Sequence, residues 1–160
     1  MKVLQINGYE SPGRRFNCIS IKPLLKVHDI DSQHLVCIKD TQNSDILTFD
    51  GQSQKRLSKK LYNYIDRAIR FVIGRLEQIM SLQSVLYPHA HQIMRMSAFK
   101  KADLLHLHII HSGFMSLSDL PKMTSLKPTV WTLHDPWALT GHCIHPFSCE
   151  RWKSGCGQCP

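Results

Sequence analysis

The chain has 160 residues, 42% hydrophobic and 20% charged, a composition that excludes a disordered polymer and supplies enough apolar mass for one folded core. Twenty basic residues against 12 acidic ones give a formal net charge of +8. That balance favours partners carrying phosphate, whether a nucleotide, a nucleic acid or an anionic membrane, without choosing among them. No apolar run approaches the roughly 18–20 residues of a membrane-spanning helix. The N-terminal MKVLQINGYESPGRR lacks the apolar core and small-residue cleavage site of a secretory signal, so a cytoplasmic chain is expected. In that compartment six cysteines read as thiols or metal ligands rather than disulfides.

In chain order, residues 2–7 (KVLQIN) form a short apolar run closed by turn residues, which predicts a first strand. Asn7, Gly8, Ser11, Pro12 and Gly13 then make a loop. Residues 14–28 read as a helix that Pro23 should kink or break. Residues 34–39 (HLVCIK) form a second strand, completing a βαβ opening. The loop between lacks both a G-x-G-x-x-G and a P-loop pattern, so it reads either as a phosphate cradle or as an ordinary strand-to-helix turn.

Residues 45–49 read as a short extra strand. Residues 55–82 follow as a long helix, with Leu57, Leu61, Ile65, Val72 and Leu76 at three-to-four spacing. Its other face is basic, carrying Arg67, Arg70 and Arg75 among others. Such a helix either packs its apolar stripe on a sheet, the commoner arrangement, or lies on an anionic membrane. Residues 92–101 look like a short helix, and 103–110 (DLLHLHII) a third strong strand. Its alternation sets Leu105, Leu107 and Ile109 against Leu104, His106, His108 and Ile110. A helix over 117–125 begins near Ser116 or Ser118, either of which can cap it. Residues 129–133 then read as a buried fourth strong strand. Strands alternating with helices imply an α/β fold, a Rossmann-like parallel sheet with flanking helices.

The chemistry concentrates behind that last strand. His134 and Asp135 follow it directly, with Trp137, Thr140 and Gly141 close behind. His106, His108 and His111 end the neighbouring strand, so these imidazoles should share one sheet edge. Zinc-hydrolase H-E-x-x-H spacing and the G-x-S-x-G elbow are both absent. Cys143, Cys149, Cys156 and Cys159 are spaced C-x5-C-x6-C-x2-C. Four such thiolates can hold a structural Zn²⁺ or an Fe–S cluster, or remain reduced thiols. Residues 1–142 therefore read as the Rossmann-like domain, and 143–160 as a Cys-rich extension.

The segments TLHDPWALTGHC and CERWKSGCGQCP, with LHLHIIHSGFMSL upstream, resemble the N-terminal half of bacterial family 4 glycosyltransferases of the colanic-acid and exopolysaccharide type. The likeness is close over 103–160 and looser over 1–40. It implies the acceptor side of a two-lobed GT-B enzyme, cytoplasmic or peripheral at the inner face of the membrane. It also implies retaining transfer from a UDP- or GDP-sugar to a lipid-linked or saccharide acceptor, with no catalytic cofactor. His134 matches the family's active-site histidine, which implies the catalytic position. Gly13 matches the first glycine of a loop beside the donor phosphate, and Arg14 stands where a second glycine is usual. Around them His108, His111, Asp135, Trp137, Thr140 and Gly141 are the expected substrate-binding residues. The sequence also leads to the expectation of a truncated or split enzyme, inactive alone and completed by a separate C-terminal half. The competing reading is a zinc-stabilised module for nucleic acid or an anionic surface. No nucleic-acid recognition motif supports it, and no nucleic acid is expected as partner.

Overall fold

The computed structural model describes residues 1–10, 19–48, 59–80, 82–111, 113–140 and 143–155. Five strands among them form one sheet: β1 (Lys2–Tyr9), β2 (Asp31–Ile38), β3 (Ile46–Thr48), β4 (Leu104–Leu107) and β5 (Thr129–Trp131). All pairings are parallel and the order is β3-β2-β1-β4-β5. With its flanking helices this is the α/β, Rossmann-like arrangement expected from the alternating pattern.

The chain adds β2 and β3 on one side of β1, then crosses to add β4 and β5 on the other. The order therefore reverses between β1 and β4, and the crevice at their carboxyl ends is where such sheets bind ligands. There the chains stay locked together, with His108 N–H donating to Ile6 O at 3.0 Å and Gly8 N–H to Ile109 O at 3.1 Å.

One face of the sheet is apolar. Leu4, Ile6, Leu35, Leu105 and Leu107 are buried against helices α3 (Ala90–Arg95) and α4 (Ser97–Lys101) and against Phe114, Met115 and Met123. Each such side chain contributes about 1.5–3 kcal/mol on burial. The helix expected over 92–101 is in fact these two pieces, divided at Met96, whose extended backbone (ψ 145°) lets its side chain turn into the core. The alternation expected over 103–110 fails at its end. β4 stops at Leu107, so Ile110 is free to join the apolar core instead of the histidine face.

The other face is mixed, with Val3, Val36 and Ile46 buried alongside polar side chains. Gln5 stands in register with His34 on one side and His106 on the other, and His106 with Val130. Gln5 is fully buried, and neither atom of its amide head has a hydrogen-bond partner.

β5 is not the buried strand expected. It pairs only with β4 among the described strands, and Val130 is half exposed. Residues 14–18 of the helix expected over 14–28 lie outside the described residues, and among those described Pro23 does not kink the helix. Helix α1 (Lys22–Val27) starts around it, and Pro23 sits in the first turn, where a missing N–H leaves no bond unmade. Ser116 fulfils its expected role: its hydroxyl accepts the Ser118 N–H ahead of helix α5 (Leu120–Leu126).

The long helix α2 (Lys59–Ile79) reverses the commoner arrangement. Its polar side holds it to the domain. Arg70 donates to Asp66, to Gly113 O and to Cys37 Sγ, at 2.6, 3.1 and 2.8 Å. Asp66 also bonds His89 Nε2 at 2.8 Å. Burial pushes the Asp66 carboxyl up, but the bonds from His89 and Arg70 outweigh it and hold it below the usual range. Glu77 accepts the N–H groups of Ser84, Val85 and Leu86 at 2.7–2.9 Å. The apolar stripe, including Leu61, Ile65, Val72, Leu76 and Ile79, is exposed.

Candidate functional site

Five of the sequence-selected residues meet at the carboxyl edge of β4 and β5. His108, His111, His134, Asp135 and Trp137 all line one small cavity there, with Trp131 at its back. β4 delivers His108 one residue past its last paired position, and β5 delivers His134 three residues past its own. Trp131 Nε1–H donates to His108 O at 2.9 Å and so fixes the backbone between the two loops.

The central contact joins two imidazoles: His108 Nδ1 lies 2.9 Å from His134 Nε2. One of these nitrogens must carry the shared proton. His108 Nε2 is buried and without a partner, and a buried orphan donor is less tolerable than a buried orphan acceptor. This favours His108 donating from Nδ1, which leaves the His134 proton on its Nδ1. Burial, then the neighbouring His106, His134 and His34, pushes the His108 pKa down to about 3. The His106 ring lies tilted by 41° against that of His108 with ring centres 4.0 Å apart, and its Nε2 lies 2.7 Å from Thr132 Oγ1. Burial, then His134, lowers its pKa too. His106 and His108 are thus held neutral, which suits this edge to hydroxyl ligands rather than to anions.

Asp135 is committed to local structure. Its Oδ1 accepts the Trp137 N–H at 2.9 Å, starting helix α6 (Trp137–Thr140), and its Oδ2 lies 3.4 Å from His111 Nε2. Burial lowers the His111 pKa, and Asp135 opposes that shift in part. His111 stacks on Trp137 at 4.6 Å, and buried Trp137 donates from Nε1 to Gln83 Oε1 at 2.7 Å. Thr140 lies away from the imidazoles at the end of α6, its hydroxyl donating to Cys143 O at 2.7 Å.

Gly13, Arg14, Gly141, Cys156 and Cys159 lie outside the described residues. Of the expected thiolate set, Cys143 is half-buried and Cys149 exposed, and among the described residues no three His, Cys, Asp or Glu side chains are placed to hold a metal ion. Sequence reading missed Gln83, which reaches Trp137 from a distant loop, and Gln5, a polar residue at an inward strand position. The second was visible in the sequence: a Gln inside an otherwise apolar strand contradicts its neighbours. No helix among the described residues is long and apolar enough to cross a membrane.

No family model matches the chain, and no solved structure matches it. One curated protein is similar: the "Putative colanic acid biosynthesis glycosyl transferase WcaC" of Escherichia coli (strain K12), 42% identical over 64 residues. The match covers 36% of this chain and 16% of that protein, so the chain spans a small part of the length of the relative it resembles.

Proposed function

We propose that the chain forms the acceptor-side lobe of a retaining, nucleotide-sugar-dependent glycosyltransferase of the GT-B type, acting in exopolysaccharide synthesis. The observation that carries this reading is the His108–His134 pair at the carboxyl edge of a parallel sheet, beside the point where the strand order reverses. The similarity over 64 residues to the "Putative colanic acid biosynthesis glycosyl transferase WcaC" supports it.

In the proposed reaction the bond between the sugar's anomeric carbon and the diphosphate oxygen breaks. A bond from that carbon to the acceptor oxygen forms on the same face. The acceptor's hydroxyl proton leaves with the nucleoside diphosphate. His134 donates a hydrogen bond to a donor-sugar hydroxyl next to the reacting carbon, and neutral His108 behind it fixes its tautomer and ring plane. The opposite lobe, by the resemblance, holds the UDP or GDP. The test is acceptor-dependent release of UDP or GDP from a panel of UDP- and GDP-sugars by the chain assembled with a donor-binding lobe, with the product's anomeric configuration read by NMR. Release with retained configuration is expected. Absence of transfer across the panel, or an inverted product, would overturn the corresponding part of the reading.

The exposed stripe on α2 adds a place for the reaction. Arg67 and Arg75 are exposed on the same helix, and the chain is strongly basic. An apolar band with cations beside it fits an anionic bilayer surface, where a lipid-linked acceptor resides. The chain should float with vesicles containing phosphatidylglycerol and not with purely zwitterionic ones, and Val72→Asp should release it. Equal recovery with both vesicle types would show that the stripe has another role.

A further inference from the structure

A second, larger cavity opens beside the histidine edge. It is a groove of about 630 Å³ between α2 and the 82–87 segment, and its lining includes Phe71, Arg75, Gln83, Ser84, Tyr87 and His111. His111 belongs to both cavities, so the groove runs directly up to the edge that carries His134.

Ser84 is the unusual member. It is 1% exposed, yet its hydroxyl has no hydrogen-bond partner. Its backbone is left-handed (φ 57°), a conformation that disfavours any residue with a Cβ. The surroundings enforce it: Glu77 accepts the Ser84 N–H at 2.9 Å, and Ser84 O accepts the Leu117 N–H at 2.7 Å. A buried hydroxyl held against backbone preference and left unbonded points to a ligand that completes it. The rest of the lining agrees. Trp137 occupies Gln83 Oε1, so the Gln83 NH₂ remains to donate. Burial, then Glu77, pushes the Tyr87 hydroxyl up, so it stays a protonated donor. Gly74 and Gly113 leave the space that this hydroxyl fills: a Cβ on Gly113 would lie 3.1 Å from it and one on Gly74 3.5 Å.

We infer that this groove binds a saccharide, the pyranose residue of the glycosyl acceptor, through the Ser84 hydroxyl, the Tyr87 hydroxyl and the Gln83 amide. Hydroxyl, phenol and amide together can both donate and accept, as sugar hydroxyls require, and the exposed Phe71 ring beside them supplies apolar surface for sugar C–H groups. Anchored there, the acceptor presents its nucleophilic hydroxyl past His111 to the His134 edge. The acceptor role rests on the glycosyltransferase reading above; the saccharide site itself rests on the groove.

The test is amide-shift mapping of the chain with methyl glucoside, methyl galactoside, methyl mannoside and lactose. At least one sugar should move the Ser84, Tyr87 and Gly113 amides in a saturable way. Ser84→Gly removes the hydroxyl while relieving the left-handed backbone, so it should stay folded and bind about tenfold more weakly. Gly74→Phe, whose Cβ has ordinary room, should fill the groove and abolish binding. The inference is overturned if no sugar in the panel moves these amides, or if Ser84→Gly and Gly74→Phe bind unchanged. Nucleoside diphosphate release by the same variants separates the two readings. Sugar binding with no transfer by the parent chain assembled with a donor-binding lobe would keep the groove and remove the transferase. Transfer unimpaired in Gly74→Phe would keep the transferase and remove the groove.

Discussion

Replacing His134 by alanine should lower sugar transfer by about 10²-fold or more while leaving the fold intact, the range typical when a positioned polar catalytic group is lost. His134 is half-buried at the end of an edge strand, so its removal empties no part of the apolar core. What disappears is a hydrogen-bond donor with a fixed tautomer. His134→Gln should restore part of the rate, since an amide can still donate from a similar place. His108→Leu acts differently: it removes the group that orients His134 and touches no substrate. Its effect should fall on kcat more than on KM, and it should alter the imidazole ¹⁵N shifts of His134. A His134→Ala protein that transfers sugar at the parent rate would mean the reacting carbon lies elsewhere.

Acidification should destabilise the domain well before carboxylates titrate. The His108 pKa stands near 3 when folded against about 6.5 ordinarily, and His106 and His111 shift the same way. For a depressed folded value the unfolded chain binds more protons throughout the interval between the two pKa values. Stability is therefore full above pH 6.5 and falls as pH drops toward 3. His108 contributes up to about 1.4 kcal/mol per pH unit across that window. A domain of this size has a total stability of about 5–15 kcal/mol, so the loss is a large fraction of it. Carboxyls cannot explain a change above pH 5. Glu10 is pushed up by burial and pulled further down by Thr41, Asp40 and Lys39, and Asp66 is likewise held low, so both lose their contribution only at lower pH. Thermal melts from pH 7.5 to 4.5 should show a falling midpoint, and His108→Leu should flatten the curve. A flat midpoint in the parent chain would show that these imidazoles are solvated.

Parallel-sheet architecture was legible because it is written in short apolar runs separated by helical periods. β1, β2, β3, β4 and β5 all fall on stretches singled out in the sequence, with shifted ends. The histidine edge was legible for the same reason: once two strands run parallel, residues just past their ends share one side. What the sequence hid is which side of an element faces inward. The α2 periodicity gave a correct stripe, but Asp66, Arg70 and Glu77 bond to backbone and side chains of distant segments, and those bonds turned the stripe outward. Exposure of β5 was hidden too, because an edge position depends on which strands pair and not on the strand's own residues. Ser84 could not have been singled out at all. Its left-handed backbone and unbonded hydroxyl arise from Glu77 and Leu117, seven residues before it and far beyond it.

The most direct measurement is an isotope-edited NOE spectrum of the chain assembled with a donor-binding lobe and saturated with a UDP- or GDP-sugar. Contacts are expected from the sugar's ring protons to the imidazole protons of His134, and none to Ser84 or Tyr87, which belong to the acceptor. Sugar contacts confined to the groove beside α2, with His134 silent, would contradict it.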